Sequence, residues 1–484
     1  MNFTGLIPEI IVCLTALLVI ISDWFIKEKS AKNITGFLGL CGLIGALAVL
    51  LGYKMSHFST AYNFGGMFIS DELSWYFRVL LLVSGIICFL LSFKYVKDVI
   101  NNVGEFYSLL LLATLGGMLL SASGEMVSLY LALELLSISS YVLSGFRKDK
   151  QKSAEASLKY LVIGGISSAI MLYGMSILFG ITATTEFKSI AAGLIKNQME
   201  LDFLTILGMI LIICGVSYKI SAVPFHMWAP DVYEGSPTPV TAFLSVSSKI
   251  AGFAALLRIL EAFSMNLTSK WVLLITVICV ITMTYGNIVA LAQKNIKRML
   301  AYSGIAHAGY LLIGIVAMSS PLKASISLGA ILYYLLAYLF MNMGAFAIII
   351  YFASQTGSTQ IADFSGLAKK SPFMAFILAC CLVSLAGLPP FAGFTGKLYL
   401  FGAAINAGYI WLAVIGVINS LISLYYYVRI IRLMYFGGVE EIKTFTKPTM
   451  ALALAAFISL VGLIVMFIFP SFFINLVSMA SLGI

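Results

Sequence analysis

Along this chain the apolar positions come in long stretches separated by short polar loops. The stretches lie near residues 3–26, 33–52, 73–93, 105–122, 126–146, 156–180, 203–222, 238–262, 270–292, 299–318, 323–353, 373–402, 408–436 and 450–478. Repeatedly they reach the roughly 20 residues that a helix needs to cross the hydrocarbon core of a bilayer, and none shows the period-two alternation of an outer-membrane strand. The pattern predicts an all-α, polytopic integral membrane protein with about fourteen transmembrane helices. The first stretch, MNFTGLIPEIIVCLTALLVIISDWF, carries Glu9 but neither a basic leader nor a small-residue cleavage site, so it reads as a retained span.

Composition agrees: 61% of residues are hydrophobic and 10% charged, which excludes an ordinary soluble domain. Charge adds an orientation. Lys and Arg crowd into the loops at 27–32, 94–97, 147–152, 294–298, 369–370 and 429–447, whereas the alternate loops carry only Lys54, Lys188, Lys196, Lys270 and Lys323. By the positive-inside rule both termini then face away from the cytoplasm. The net charge of +9 follows from this topology, and basic residues scattered over short loops form no nucleic-acid patch.

The seven cysteines all fall inside apolar stretches without CxxC spacing, a pattern of small core residues rather than of a redox or metal site. Dinucleotide, Walker, haem-attachment and EF-hand motifs are absent from the sequence, so no cofactor or metal is expected on this chain.

What remains is charge inside the membrane. An ionised side chain at the centre of a span costs on the order of 2.5–3.5 kcal/mol on insertion scales, so it faces a bundle interior and marks an ion or proton path. Four residues need such an explanation: Glu134 in SLYLALELLSISSYVLSG, Lys219 in VSYKISAVPFHMWAP, Lys249 in PVTAFLSVSSKIAGFAALL and Lys397 in GLPPFAGFTGKLYLFGAA. Lys249 stands about eleven residues into its span, close to the midplane at 1.5 Å per residue. Others have plainer readings. Lys159 is one turn from Glu155, and Arg258 can pair with Glu261.

Lys219 and Lys397 share a further feature, a proline break inside a membrane segment, at Pro224 and at Pro389-Pro390. Proline removes a backbone donor, and hydrocarbon tolerates the freed carbonyls only where protein or a wet cavity satisfies them. The breaks lie five spans apart, and an odd offset inverts topology. The sequence therefore predicts an N-terminal three-helix segment (1–104), two inverted five-helix repeats with one broken helix each (105–262 and 270–436), and a C-terminal helix (450–484).

VPFHMWAPDVYEGSPTPVTAFLSVSSKIAG, NIKRMLAYSGIAHAGYLLIG and SLAGLPPFAGFTGKLYLF closely resemble the antiporter-like membrane subunits of proton-pumping NADH:quinone oxidoreductase, respiratory complex I. The resemblance covers residues 105–436. Its subunit N branch, the mitochondrial subunit two type, fits best: a long lateral helix is absent from the sequence, and Lys397 stands where the subunit M type has glutamate. The resemblance implies a proton-translocating chain of Glu134, Lys219, Lys249, His307 and Lys397. His226, inside the first break, fits loop packing as well as hydration. It also implies that NADH, FMN, Fe–S clusters and quinone belong to other subunits, that subunits M and K are neighbours, and that the membrane is a bacterial plasma membrane with periplasmic termini.

Physics supports the same inventory. Desolvation disfavours a charged ammonium and a nearby carboxylate favours it, so a buried Lys–Glu pair can hold or release a proton according to its separation. The alternative, a stand-alone cation/proton antiporter of the Mrp type, shares the broken helices but would favour acidic ion ligands on them, where this chain has lysines. Topology is directly testable. Reporter fusions at Ile484 and in the loop around Lys369 are expected to read opposite sides of the membrane, the latter cytoplasmic. A cytoplasmic reading from both would mean that the span count is wrong by one.

Overall fold

A computed structural model describes residues 4–26, 33–56, 61–196, 202–262, 268–320, 323–438 and 445–481. In chain order its helices are α1 (Ile7–Phe25), α2 (Asn33–Ser56), α3 (Glu72–Val99), α4 (Val103–Ser121), α5 (Met126–Ser144), α6 (Gln151–Thr182), α7 (Phe187–Lys196), α8 (Phe203–Lys219), α9 (Trp228–Gly235), α10 (Thr238–Ala262), α11 (Thr268–Leu291), α12 (Ile296–Ala317), α13 (Ala324–Thr356), α14 (Leu367–Lys370), α15 (Pro372–Ala386), α16 (Ala392–Asn406), α17 (Ile410–Phe436), α18 (Met450–Ile468) and α19 (Pro470–Ser481). Among the described residues, 12 helices are long and apolar enough to cross a membrane. Two shorter apolar helices, α8 and α15, end shortly before the proline breaks at Pro224 and Pro389-Pro390. The chain is thus an all-α multi-pass membrane protein.

Helix ends follow local chemistry. Asp71 caps α3 by a reciprocal box, Ser74 N donating to Asp71 Oδ1 at 2.8 Å and Asp71 N to Ser74 Oγ at 3.1 Å. Asn295 caps α12 in the same sense, accepting from the backbone N–H of Lys297 and Arg298. These caps satisfy amides that the bilayer could not solvate.

Helices α10 and α12 are buried throughout their apolar windows and α13 nearly so, whereas α1, α2, α6, α17 and α18 turn most of their surface outward. Of the polar residues predicted to matter, Lys249 and His307 therefore sit on the innermost helices. The two halves also share a stitch. An isolated antiparallel bridge joins Glu125, just before α5, to Glu186, beyond the end of α6; a second joins Asn295, just before α12, to Gln360, beyond the end of α13.

Four local features differ from the sequence expectation. A short hairpin, β1 (Ala61–Asn63) with β2 (Phe68–Ser70), precedes α3, and Ile69 N donates to Ala122 O at 2.7 Å; its strands are too short to show a period. The last apolar stretch is cut at Pro470 into α18 and α19. Cys41 is exposed on α2, while Cys88, Cys279, Cys380 and Cys381 are buried as expected. Arg258 forms a two-pronged ion pair with Asp71, at 2.5 and 2.7 Å, and donates to Ser121 O at 3.0 Å. The side chain of Glu261, its expected partner, lies outside the described residues. Lys159 does pair with Glu155, at 2.7 Å, and reaches Asp231 at the same distance.

The Asp71–Arg258 pair ties α3 to α10 from the loop edge. Burial alone raises an aspartate, but the guanidinium, with Ser74, holds the Asp71 carboxyl below its usual range. A lowered folded value means that the pair's contribution is complete above the ordinary carboxylate range and is lost as pH falls through the lowered value. Asp71→Asn keeps a capping side chain and removes the charge, so it is expected to lower unfolding free energy by about 3 kcal/mol, the low end for breaking a buried pair. Asp71→Ala is expected to cost about 1 kcal/mol more through loss of the cap. Denaturation of the purified protein in detergent measures both, and equal stability of wild type and Asp71→Asn would remove the tie.

Candidate functional site

The first break interrupts a membrane segment between α8 and α9, and its freed backbone groups are met by side chains. Trp228 stacks on Tyr160 with ring centroids 4.3 Å apart and donates its indole N–H to Tyr218 O at 3.0 Å; Val223 N donates to Thr282 Oγ1 at 3.0 Å. Lys219 closes α8, one per cent exposed. Its Nζ donates to Ser137 Oγ at 3.0 Å. Ser137 is one turn beyond Glu134 on α5, and Glu134 accepts from Ser168 of α6. Glu134 and Ser137, three residues apart, share a face of α5, which brings Glu134 to the Lys219 side of that helix. Among the described residues no direct ion pair joins Glu134 to Lys219, and serines make the contacts.

Lys249 and His307 are equally enclosed, both no more than two per cent exposed. Snorkelling to the headgroups is not available to a lysine so enclosed. Lys249, on α10, has Nζ 5.9 Å from the Tyr338 ring centroid. His307, on α12, is held at both ring nitrogens, Nδ1 by the Tyr334 hydroxyl at 2.6 Å and Nε2 by the Tyr427 hydroxyl at 3.2 Å. The Tyr427 hydroxyl is also 2.5 Å from Ser303 Oγ. Rings of Tyr310, Tyr334 and Tyr338 surround the imidazole at 5.4–5.9 Å. A neutral imidazole offers one donor and one acceptor, and a phenol can supply either complement.

The second break, between α15 and α16, is closed by its own lysine. Gly387 ends α15 at φ +84°, and Lys397 Nζ donates to the last carbonyls of that helix, Leu385 O at 3.1 Å and Ala386 O at 2.9 Å. A cation at a helix C-terminus is favoured by the helix dipole. The same ammonium sits 4.7 Å from the Tyr310 ring centroid, which brings it to the edge of the His307 surround. Lys219 thus lies on the half-helix before its break and Lys397 on the half-helix after its own. Pro224 and Pro390 are both in cis linkages.

His226 packs edge-on to Tyr285 of α11, ring centroids 4.6 Å apart, and makes no hydrogen bond or ring contact with the lysine series among the described residues. Its Nδ1 is buried without a hydrogen-bond partner among the described residues. Sequence reasoning missed the tyrosines and the serines. Tyr334, Tyr338 and Tyr427 interrupt otherwise apolar stretches, YYLLAYLF and SLYYYVRI, and a buried phenol needs a partner for its hydroxyl; that was the available signal. Also unforeseen is a charge network at α9, where Asp231 accepts from Lys159 and Arg298, Glu234 from Lys152 and Arg298, and Lys297 Nζ donates to Glu234 O and Ser236 O.

A family model described as "NADH:quinone oxidoreductase/Mrp antiporter, TM" matches residues 123–423. NAD(P)H-quinone oxidoreductase subunit 2 of Thermosynechococcus vestitus is 44% identical over 91% of this chain and 84% of its own. NADH-quinone oxidoreductase subunit N of Trichlorobacter lovleyi is 40% identical over 99% of this chain and 97% of its own. Among solved structures, a chain of respiratory complex I from Thermus thermophilus superposes with a TM-score of 0.80 at 30% identity, covering 97% of this chain and 98% of that one.

Two glycines separate backbone strain from contact at Lys397. A Cβ at Gly387 would lie 2.6 Å from Lys397 Cδ and 3.1 Å from Nζ, whereas one at Gly408, φ +91°, would meet nothing within 4 Å. Gly408→Ala is expected to cost about 1–2 kcal/mol, the left-handed penalty alone. Gly387→Ala is expected to cost measurably more, because it also displaces the lysine from the α15 carbonyls. Equal losses in denaturation experiments would mean that Lys397 yields without cost.

Proposed function

The chain belongs to the NADH:quinone oxidoreductase/Mrp antiporter membrane family, in its subunit N branch, and on that premise we propose that it carries protons across the membrane through Glu134, Lys219, Lys249, His307 and Lys397. One observation supports this above others: three lysines and a histidine are each at most four per cent exposed, Lys249 and His307 on helices long enough to cross a bilayer and Lys219 and Lys397 on the short half-helices beside the two breaks. Such charges are retained where they move or bind ions. Glu134 and Lys219 form the first station, Lys249 the centre, His307 the bridge and Lys397 the last station. The proposed units are the segment 1–104, repeats 105–262 and 270–436, and the helix 450–484.

Each proton moved against 100 mV requires roughly 2.3 kcal/mol. On this reading the energy comes from oxidoreduction in other subunits, which carry NADH, FMN, Fe–S clusters and quinone, and this chain contributes translocation without redox chemistry. Its neighbours are the subunits of the M and K types, its membrane a bacterial plasma membrane, and its termini periplasmic. The Mrp-type antiporter reading shares the fold. Lysines on both broken helices favour proton handling over coordination of sodium.

The decisive substitution is at Lys219. A side chain that only caps or snorkels tolerates Lys219→Arg, since arginine keeps the charge. One that must release a proton does not, because a guanidinium stays protonated even when buried. In the assembled complex, reconstituted in vesicles, Lys219→Arg is expected to reduce proton uptake nearly as much as Lys219→Ala, at an unchanged amount of assembled complex. Full uptake in Lys219→Arg would leave this lysine a fixed charge and end its role as a carrier.

A further inference from the structure

Helices α11 to α18 contain no aspartate or glutamate. Within them the Lys397 ammonium has only uncharged company, the two α15 carbonyls and the face of Tyr310 at 4.7 Å. That ring is held from behind. Asn287 of α11 is wholly buried, and its side chain has partners on two other helices. Nδ2 donates to the Tyr310 hydroxyl of α12 at 2.9 Å and to Asn419 Oδ1 of α17 at 3.3 Å, while Oδ1 accepts from the Tyr426 hydroxyl of α17 at 3.0 Å. Neighbours fix the orientation of this amide. Asn419 Nδ2 is committed to Ile415 O at 3.0 Å and to Thr284 Oγ1 at 3.3 Å, so Asn419 presents its oxygen to Asn287, and Asn287 must answer with its nitrogen. A flipped amide would set two carbonyl oxygens against each other. Tyr310 therefore accepts from Asn287, and a buried network with its members satisfied is rigid.

We propose that Asn287 is a positioning residue for Lys397, its amide holding the Tyr310 ring against the ammonium. An amide does not titrate between acid and base, so the hold is the same whether the lysine is charged or neutral. The same side chain anchors α17 through Tyr426, whose ring lies 4.4 Å from that of Tyr427, the partner of His307 Nε2. Around Lys397, α12 brings Tyr310 and His307, with rings 5.5 Å apart, and α13 brings Tyr334, which packs on Gly396. Tyr399, on the lysine's own helix, packs on Tyr333 instead. From α15 come the two carbonyls, and α18 has no titratable side chain. Tyr310 is thus the aromatic face on the ammonium, and Asn287 is what keeps it there.

The hold on Tyr310 stands on geometry; its consequence for transport rests on the reading proposed above. An aromatic face favours the charged form of the lysine it covers, so a ring that drifts away lets Lys397 lose its proton at lower pH. In reconstituted complex, the half-point at which pumping falls off on the alkaline side is expected to move down by about one pH unit in Asn287→Leu. Tyr310→Phe keeps the ring and deletes the bond from its other end, and is expected to shift the half-point in the same direction. The double variant is expected to shift no further than the larger single, because both break one link. Electron cryo-microscopy of the Asn287→Leu complex is expected to show the Tyr310 ring displaced from Lys397. A slower pump with an unmoved or raised half-point, summed shifts in the double variant, or an undisplaced ring would each overturn the proposal. If Asn287→Leu does not assemble, Tyr310→Phe decides alone by the same shift. A Lys397→Ala complex that pumps normally would overturn the transport reading itself and leave the hold of Asn287 on Tyr310 to be judged by the ring position.

Discussion

A bilayer offers no partner to a charge or to a free backbone carbonyl, and this single constraint organises the molecule. A membrane-spanning chain that buries lysine side chains has to surround them with its own polar atoms. It does so in three ways. Lys219 is given a serine hydroxyl, Lys397 a helix end, and Lys249 a place beside a phenol and a glycine. The helices that carry or enclose these groups, α10, α12 and α13, are for the same reason the most deeply buried of the bundle.

The two proline breaks show how one requirement serves another. Interrupting a helix leaves carbonyls without amides, and in α15 those carbonyls become the ligands of Lys397. At the first break the equivalent debt is met by Trp228 and Thr282. A lysine that caps a helix end is coupled to that end, since the attraction between ammonium and helix dipole weakens when the ammonium loses its proton. Protonation and the geometry of the second break are therefore linked at Lys397.

Much of this was legible from sequence, and for a clear reason. A charge in an apolar stretch, or a proline in a span, is conspicuous because it is costly, so Glu134, Lys219, Lys249, Lys397 and both breaks stand out. The tyrosines around His307 do not. A phenol counts as apolar by composition and reveals its polar end only when a partner is placed opposite it, as Tyr334 and Tyr427 are. Long-range pairing is equally hidden: Arg258 has a plausible partner one turn away in sequence, yet its bonds run to Asp71, on a different helix start. The hairpin before α3 was beyond reach because strands of three residues carry no periodic signal.

The breaks differ in one respect with larger meaning. Lys219 precedes its break and Lys397 follows its own. On the expectation from sequence that an odd span offset inverts the second broken segment, both lysines would hang on the same membrane side of their interruptions. Strict two-fold symmetry would instead put them on opposite sides and make the two halves interchangeable under exchange of inside and outside. The molecule would then have a polarity along the membrane normal that a strictly duplicated scaffold lacks, as a rectifier has and a plain conductor does not.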